Sequence, residues 1–91
     1  MKNVSEFRVL YDRDSDVLYI STRQEPATRG VEDKNGIVWR YDSHGELIGA
    51  TVVDYYDYWS TKRDELTRAI SEKFDIPPQI AETVLQHAKD F

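Results

Sequence analysis

The spacing of apolar residues along the chain changes near Trp59. Before this residue, apolar and polar positions alternate with a period of two, which is typical of β-strands with one buried face. After it, apolar residues recur with the spacing of amphipathic helices. Because strands and helices occupy separate halves of the chain, the pattern predicts an α+β fold, an antiparallel β-sheet of four to five strands followed by a C-terminal αα-hairpin. We expect a single domain over residues 1–91, with the sheet in 7–54 and the helical hairpin in 60–91.

Two segments of the β-half look alike. Each begins with a Tyr-Asp pair, Tyr11-Asp12 or Tyr41-Asp42, continues through a polar turn and resumes with two aliphatic residues. Either an internal duplication or the suitability of Tyr-Asp for strand ends explains the likeness. In both cases the two hairpins are expected to pair within one sheet. The expected strands are residues 7–12, 17–22, 31–33, 37–41 and 47–54.

Glycine-containing turns separate the later strands. Asn35-Gly36 predicts a type I′ hairpin turn, because both central residues of that turn need positive φ. The next turn is expected to start at Asp42 and to end at Gly45, since aspartate suits the first turn position and glycine the last.

The helical half has its own start and stop signals. Ser60 or Thr61 is expected to cap the first helix, because a hydroxyl oxygen can accept from an unpaired N–H of the first turn. Pro77-Pro78 is expected to end this helix and begin the second, since proline is tolerated only in a first turn. The two apolar stripes comprise Leu66, Ala69, Ile70 and Phe74, and then Ile80, Ala81, Val84, Leu85, Ala88 and Phe91.

Residues 9–54 resemble a family of small bacterial domains termed domain of unknown function 2283. The likeness rests on Tyr11-Asp12, Asp16, Leu18-Tyr19-Ile20, Tyr41-Asp42 with Gly45, Leu47-Ile48-Gly49 and Val52-Val53-Asp54. The resemblance implies an antiparallel sheet and membership of toxin–antitoxin-like gene pairs. The family has no established catalytic residues, so the resemblance assigns none here.

Residues 62–85 look like the amino-terminal helix pair of histone-like HU proteins. The matching positions are Lys62, Leu66, Ala69-Ile70-Ser71-Glu72-Lys73, Ile76, Ala81 and Val84-Leu85. This likeness implies dimerisation through the helices. The chain has no counterpart of the β-arms that hold DNA in that family, and Pro77-Pro78 replaces the usual capping serine segment.

Composition narrows the possible functions. The 91 residues include no cysteine, which excludes disulfides and cysteine-ligated metals. The chain has neither a signal peptide at its start nor the roughly 18 consecutive apolar residues of a membrane span, so we expect a cytoplasmic protein without membrane contact. Its 17 acidic and 12 basic residues disfavour binding to nucleic acid, which requires cations against phosphates. Eleven acidic and seven basic residues fall in 1–59, so the β-half would attract a basic protein.

The sequence contains only weak signals for catalytic or metal-binding residues. Asp12, Asp14 and Asp16 have the odd-position spacing of a calcium loop, but Val17 and Arg23 occupy the places of the required glycine and glutamate. The sequence therefore predicts a solvated acidic turn here. His44 and His87 have no neighbour suited to a catalytic triad or a metal site. We expect no catalytic, cofactor-binding or metal-binding residue, and hence no enzyme.

The densest feature is Tyr55-Tyr56-Asp57-Tyr58-Trp59, four aromatic residues in five. It is either a recognition patch, since Tyr and Trp are frequent at interface hot spots, or a hinge that seats the helices on the sheet. The candidate interaction residues are Trp39, Tyr55, Tyr56, Tyr58, Trp59, Leu66, Ile70, Val84 and Leu85.

Together these features predict a non-catalytic protein-interaction module, antitoxin-like and homodimeric, with a basic protein partner. The alternative is a nucleic-acid-associated regulatory protein that uses the HU-like helix pair.

Overall fold

The computed structural model describes residues 4–90 of the chain. Single 3₁₀ turns at Val4–Glu6 and Trp59–Thr61 precede the sheet and the helices. The strands are β1 (Arg8–Asp12), β2 (Val17–Ser21), β3 (Arg29–Glu32), β4 (Ile37–Tyr41), β5 (Leu47–Val53) and β6 (Lys89–Asp90). The helices are α1 (Arg63–Phe74) and α2 (Pro78–Gln86).

The two expected hairpins lie side by side in one sheet. The strand order is β3-β4-β5-β2-β1-β6, so hairpin β1–β2 and hairpin β4–β5 meet through an antiparallel β2–β5 pair. β3 extends the sheet beyond β4 as the expected edge strand, and the two-residue β6 adds in parallel to β1. Five antiparallel strands followed by two helices confirm the α+β prediction.

The helices cover one face of the sheet, and the core lies between them. Alternate strand residues point into this layer, where Phe7 and Trp39 contact Phe74 of α1 edge-on, with ring centroids 5.2 and 6.3 Å apart. The buried core side chains from the sheet are Val9, Leu18, Ile20, Ile37, Trp39, Ala50 and Val52. Those from the helical half are Trp59, Leu66, Ile70, Phe74, Ile76, Ala81, Val84 and Leu85.

The opposite face of the sheet, which we call the open face, carries the intervening residues. Strand register arranges these residues in three rows that run across the strands. The middle row is Leu10, Tyr19, Thr51, Val38 and Glu32, in the order β1, β2, β5, β4, β3. The row on one side is Arg8, Ser21, Gly49, Arg40 and Gly30, and the row on the other side includes Asp12, Val17 and Val53.

The turn at residues 33–36 differs from the expected type I′ geometry. Positive φ is found at Gly36 (88°) but not at Asn35, and the N–H of Gly36 donates to the carbonyl of Asp33 at 3.1 Å. Since β3 ends at Glu32, the connection has four residues rather than two, and only its last position needs the left-handed conformation.

The helix boundaries also differ from the sequence-based prediction. Neither Ser60 nor Thr61 caps α1, because both belong to the 3₁₀ turn that begins at the buried Trp59. The N-cap of α1 is Lys62, which makes no side-chain capping hydrogen bond. Helix α2 begins at Pro78, as expected, but ends at Gln86 before Ala88. The predicted apolar position Phe91 lies outside the described residues.

Neither α1 nor α2 is long and apolar enough to span a membrane, and the same holds for every helix in residues 4–90.

Candidate functional site

The segment between β5 and the 3₁₀ turn, residues 54–58, forms a wound loop that we call the aromatic turn. Asp54 has a left-handed backbone (φ 57°), which reverses the chain at the end of β5. Its carbonyl then accepts from the N–H groups of Tyr58 and Trp59 at 2.9 and 3.2 Å. The loop is therefore closed by its own backbone.

Asp16, in the β1–β2 loop, holds the aromatic turn from outside. Its carboxylate accepts from the backbone N–H groups of Tyr56 (2.8 Å) and Asp57 (3.0 Å). The same carboxylate accepts from the hydroxyl of Tyr11 at 2.7 Å. The carbonyl of Asp16 also accepts from the N–H of Tyr55 at 3.1 Å. Three hydrogen bonds to Asp16 thus fix the loop that carries the aromatic side chains, and the fourth ties Asp16 to β1.

These contacts also set the charge of Asp16. Partial burial alone would raise the pKa of its carboxyl, but the hydrogen bonds from Tyr11, Tyr56 and Asp57 outweigh burial and lower the pKa below its ordinary value. The group that holds the loop is consequently ionised at neutral pH.

The three tyrosine rings of the aromatic turn have different surroundings. Tyr55 is partly buried against Tyr11, with centroids 5.3 Å apart, and the guanidinium of Arg63 lies over its ring and donates to its hydroxyl. Tyr58 packs edge-on against Trp59 and remains 42% exposed. Tyr56 is 72% exposed, the most exposed large apolar side chain among the described residues. The turn therefore anchors one tyrosine and presents two.

Six of the nine candidate interaction residues lie inside the molecule. Trp39, Trp59, Leu66, Ile70, Val84 and Leu85 are buried in the chain's own core. The stripes of α1 and α2 face the sheet, which covers the apolar surface that a partner subunit was expected to cover. Trp39 lies on the covered face of β4, and its indole N–H donates to Asp33 at 3.0 Å. Only Tyr55, Tyr56 and Tyr58 reach the surface.

Two aspartates hold the hairpin loops, Asp42 at the start of an expected turn and Asp33 at the end of the expected strand 31–33. Asp42 is buried, accepts from the N–H groups of His44 (2.8 Å) and Glu46 (2.9 Å), and pairs with Arg23 at 2.6 Å. Asp33 accepts from Asn35 and Ile37 in the same manner. The signal was present in the sequence, since each aspartate stands three residues before a glycine.

The pKa values of these two carboxyls are also lowered. For Asp42 the N–H of Glu46 is the main cause; burial opposes it, and His44 and Arg23 add to it. For Asp33 burial acts to raise the pKa, but the donors Trp39, Ile37 and Asn35 and the charge of Lys73 outweigh it. Both groups are therefore ionised structural acceptors.

The calcium-like spacing in the β1–β2 loop serves local structure instead. Asp12 accepts from the N–H groups of Asp14 and Ser15, at 3.1 and 3.4 Å, and Asp16 holds the aromatic turn. Among residues 4–90, no group of three or more His, Cys, Asp or Glu side chains could hold a metal ion.

The two histidines are exposed and belong to different elements of the fold. His44 is in the β4–β5 turn, where its backbone N–H donates to Asp42, and His87 is the C-cap of α2. His87 lines a surface groove of about 1190 Å³, together with Arg8 and Arg23. Arg23 is bound there by carboxylates of the chain itself, Asp42 and Glu46.

The fold and this site define a small α+β domain whose sheet has one helix-covered face and an aromatic turn at one end. The family model described as "Protein of unknown function (DUF2283)" matches residues 8–55, 48 of the 91 residues. The chain belongs to the DUF2283 family, which confirms the resemblance drawn from residues 9–54. The match covers β1 to β5 and ends within the aromatic turn, so it includes Asp16 but not Tyr56. Comparisons with curated proteins and with solved structures give no match.

Proposed function

We propose that the protein is a non-catalytic protein-interaction module and that the aromatic turn binds a basic protein. One observation carries the proposal: the Asp16 carboxylate holds the backbone of Tyr56 and Asp57 while the Tyr56 side chain is 72% exposed. An exposed tyrosine on an ordered backbone is the kind of side chain that is enriched among the energetically dominant residues of protein interfaces.

A fixed tyrosine suits protein recognition. Tyrosine contributes a large contact area with only two rotatable side-chain bonds, so little side-chain entropy is lost when it binds. Because Asp16 already orders the backbone of the turn in the free protein, binding does not carry the entropic cost of ordering it. Tyr58, partly exposed beside Tyr56, would enlarge the contact.

The charge around the turn supports a basic partner. Asp54 and Asp57 belong to the turn and are exposed, and Asp14 lies exposed in the β1–β2 loop that Asp16 joins to it. The cations Lys62 and Arg63 lie over the rings of Tyr58 and Tyr55, which leaves Tyr56 with Asp57 as its charged neighbour in the turn. Complementary charge steers association and excludes acidic competitors. An antitoxin-like protein that masks a basic toxin is the most specific form of the proposal.

The carboxylates support a non-catalytic role. Those with a shifted pKa, Asp16, Asp33 and Asp42, are all ionised and occupied as acceptors for backbone N–H groups. A general acid or base would instead need a pKa near the working pH. Structural hydrogen bonding accounts for each of these shifts.

Affinity capture from an extract of the source cells at low salt tests the proposal, with bound proteins quantified by mass spectrometry. We expect the wild type to retain a basic protein, and Tyr56→Ala to lower its retention at least tenfold, since exposed tyrosine hot spots contribute about 2 kcal/mol or more. Raising the salt concentration should release it.

Val31→Ala is the matched control, because Val31 is also exposed, on edge strand β3, away from the aromatic turn. A captured protein that is acidic, or that Tyr56→Ala and Val31→Ala retain equally well, would contradict the proposal.

A further inference from the structure

The sheet ends at β3, and the outer edge of this strand is uncovered. β3 stands first in the strand order β3-β4-β5-β2-β1-β6, and all four of its residues are exposed. It contains neither proline nor lysine, the residues that commonly protect an edge from pairing with another strand. Its outward backbone N–H and C=O groups are therefore open to a further strand.

The hydrogen bonds to β4 show which backbone groups of β3 point outward. The N–H of Asp33 donates to the carbonyl of Ile37 at 2.9 Å, so residue 33 faces β4. Inward-facing and outward-facing residues alternate in an antiparallel ladder, so Val31 also faces β4, while Gly30 and Glu32 direct their backbone groups away from the sheet. Gly30 and Glu32 are thus the residues of β3 that can hydrogen-bond a neighbouring strand.

Two side chains of opposite charge lie beside this edge on the open face. Arg40 on β4 stands opposite Gly30, and one of its guanidinium nitrogens lies 3.6 Å from the point that a Cβ on Gly30 would occupy. The Nε of Arg40 donates to the hydroxyl of Thr51 at 2.8 Å, which holds the side chain in this position. Within residues 4–90, neither Arg40 nor Glu32 has an ion-pair partner. A carboxylate placed opposite Gly30 would therefore meet an unpaired guanidinium.

Symmetry limits the registers in which two copies of β3 can pair. Identical edge strands pair antiparallel about a two-fold axis perpendicular to the sheet, and this rotation keeps every side chain on its own face. Residues opposite each other must point to the same face, so they are separated by an even number of positions along the chain. One residue, on the axis, then faces its own copy. In β3 this residue is Arg29, Gly30, Val31 or Glu32.

The charges disfavour three of these four registers. With Arg29 or Glu32 on the axis, like charges stand directly opposite each other, which destabilises a strand pair. With Gly30 on the axis, the two Arg40 guanidiniums, each lying over its own Gly30, meet across the axis. With Val31 on the axis, Glu32 of each copy stands opposite Gly30 of the other, within reach of Arg40. The remaining register is thus the one in which the charges are complementary.

We propose that β3 pairs with β3 of a second copy of this chain, antiparallel about a two-fold axis at Val31, so that one sheet continues through both subunits. Gly30 exchanges N–H···O bonds with Glu32 of the partner subunit, because both residues direct their backbone groups outward. The carboxylate of that glutamate lies beside Arg40, and the two-fold axis repeats the contact.

The same register is complementary on the helix-covered side of the sheet. Arg29 there stands opposite Asp33 of the partner subunit, a carboxylate whose lowered pKa keeps it ionised at neutral pH. A second copy thus supplies, in one register, both the backbone groups and the charges that fit this edge. The contact is smaller than a standard interface, so we expect a reversible dimer with a Kd on the order of 100 μM.

Exchanging the charges of the Glu32–Arg40 pair tests the proposal. Glu32→Arg and Arg40→Glu should each weaken the homodimer at least tenfold in sedimentation equilibrium across a concentration series, because each variant sets like charges against each other twice. An equimolar mixture of the two variants should recover the wild-type affinity, since every contact in the mixed dimer again joins an arginine to a glutamate. Arg40 also donates to Thr51, so circular dichroism must confirm that Arg40→Glu is folded.

Single cysteines test the register, since the chain has no cysteine of its own. Residue 31 faces its own copy in a pair without backbone hydrogen bonds, where the Cα atoms are about 4.5 Å apart, a separation that a disulfide can span. Val31→Cys should therefore oxidise to a covalent dimer at protein concentrations near the Kd. Val53→Cys is the matched control, because Val53 on β5 is 43% exposed and Val31 is 44% exposed. It should remain monomeric on the same gel.

Three results would each overturn the proposal: a wild type that is monomeric up to millimolar concentration, a folded mixture of the two charge variants that stays monomeric, or cross-linking of Val53→Cys as readily as Val31→Cys. Tyr56→Ala should leave the dimer unchanged, because Tyr56 belongs to the aromatic turn and not to β3. Affinity capture uses chain concentrations far below the expected Kd, so failure of the dimer and failure of the proposed function are separately visible.

Discussion

Three aspartates in three different turns serve as hydrogen-bond acceptors in the same way. Asp16, Asp33 and Asp42 each accept at least two backbone N–H groups and one side-chain donor. The side-chain donors are Tyr11, Trp39 and Arg23 in turn, which tie the loops to the strands and to the core. Hydrogen bonds to a charged acceptor contribute more than neutral ones, so these residues are expected to matter for stability despite lying in turns.

Asp16→Ala tests this role. The substitution removes the carboxylate that accepts hydrogen bonds from Tyr11, Tyr56 and Asp57. It also leaves alanine at a φ of 57°, where a residue with a Cβ is strained. We expect the free energy of unfolding to fall by about 2–3 kcal/mol, measured by urea denaturation.

Asp16→Asn is the matched control. Asparagine tolerates the left-handed conformation and keeps one acceptor oxygen, so the loss should be about 1 kcal/mol. Equal losses for the two variants would mean that the hydrogen bonds, and not the backbone conformation, account for the whole effect. No loss in either would show that Asp16 does not stabilise the aromatic turn.

The aromatic residues of the candidate site can be picked out from the sequence, but their exposure cannot be predicted from it. Four neighbouring aromatics are compatible with a core, a hinge or a patch, and the structure divides them. Trp59 enters the core, Tyr55 packs on Tyr11, and Tyr56 remains outside. The division depends on Asp16, 40 residues away along the chain from Tyr56. A contact between such distant segments leaves no local pattern in the sequence.

At the scale of elements, the close approach of β2 and β5 at Gly49 gives a second prediction. A Cβ at this position would lie 2.8 Å from the backbone oxygen of Ile20, and a backbone cannot move aside as a side chain can. We expect Gly49→Ala to lower the free energy of unfolding by about 1–3 kcal/mol, which thermal and urea unfolding would measure.

Gly30→Ala provides the comparison. Its Cβ would meet the side chain of Val38 at 3.1 Å, and a side chain can shift by a few tenths of an ångström more easily than a backbone oxygen can. We expect a smaller loss than for Gly49→Ala, and the reverse order would show that the β2–β5 approach is not the tighter one.

Strands were more predictable than helix ends. Period-two alternation, apolar runs and the turn residues between them located all five antiparallel strands, although β3 begins at Arg29 and not at Val31. The start of α1 was misplaced by the hydroxyls of Ser60 and Thr61, which suggest an N-cap wherever they occur before an apolar stripe. Burial of Trp59 draws this segment into a 3₁₀ turn, and α1 starts only at Arg63. Tertiary packing of one tryptophan thus overrides a local capping signal.

At the scale of the whole molecule, the lowered pKa values of Asp16, Asp33 and Asp42 predict acid sensitivity. Each group has a folded-state pKa below its ordinary value of 3.8, so the unfolded chain binds more protons in this range. Their contribution to stability is complete above pH 5 or so and is lost as the pH falls through 3.8 towards the folded-state values.

Urea midpoints at pH 7, 5, 4 and 3 would measure this loss. Asp42→Asn should be less stable than the wild type at pH 7. Its urea midpoint should fall less on acidification than that of the wild type, because the amide of asparagine does not titrate. A midpoint that is constant from pH 7 to pH 3, or that rises on acidification, would contradict the assignment of these carboxylates.

The strand order has a consequence for the speed of folding. Each hairpin closes a loop of only a few residues, since β1 and β2 are joined by residues 13–16 and β4 and β5 by residues 42–46. The pair that joins them sets Leu18 against Val52, 34 positions further along the chain. Isolated hairpins form in roughly 1–10 μs, whereas distant pairings must first overcome loop-closure entropy. We therefore expect the meeting of the two hairpins, with the helices closing over one face, to be the slow step of folding.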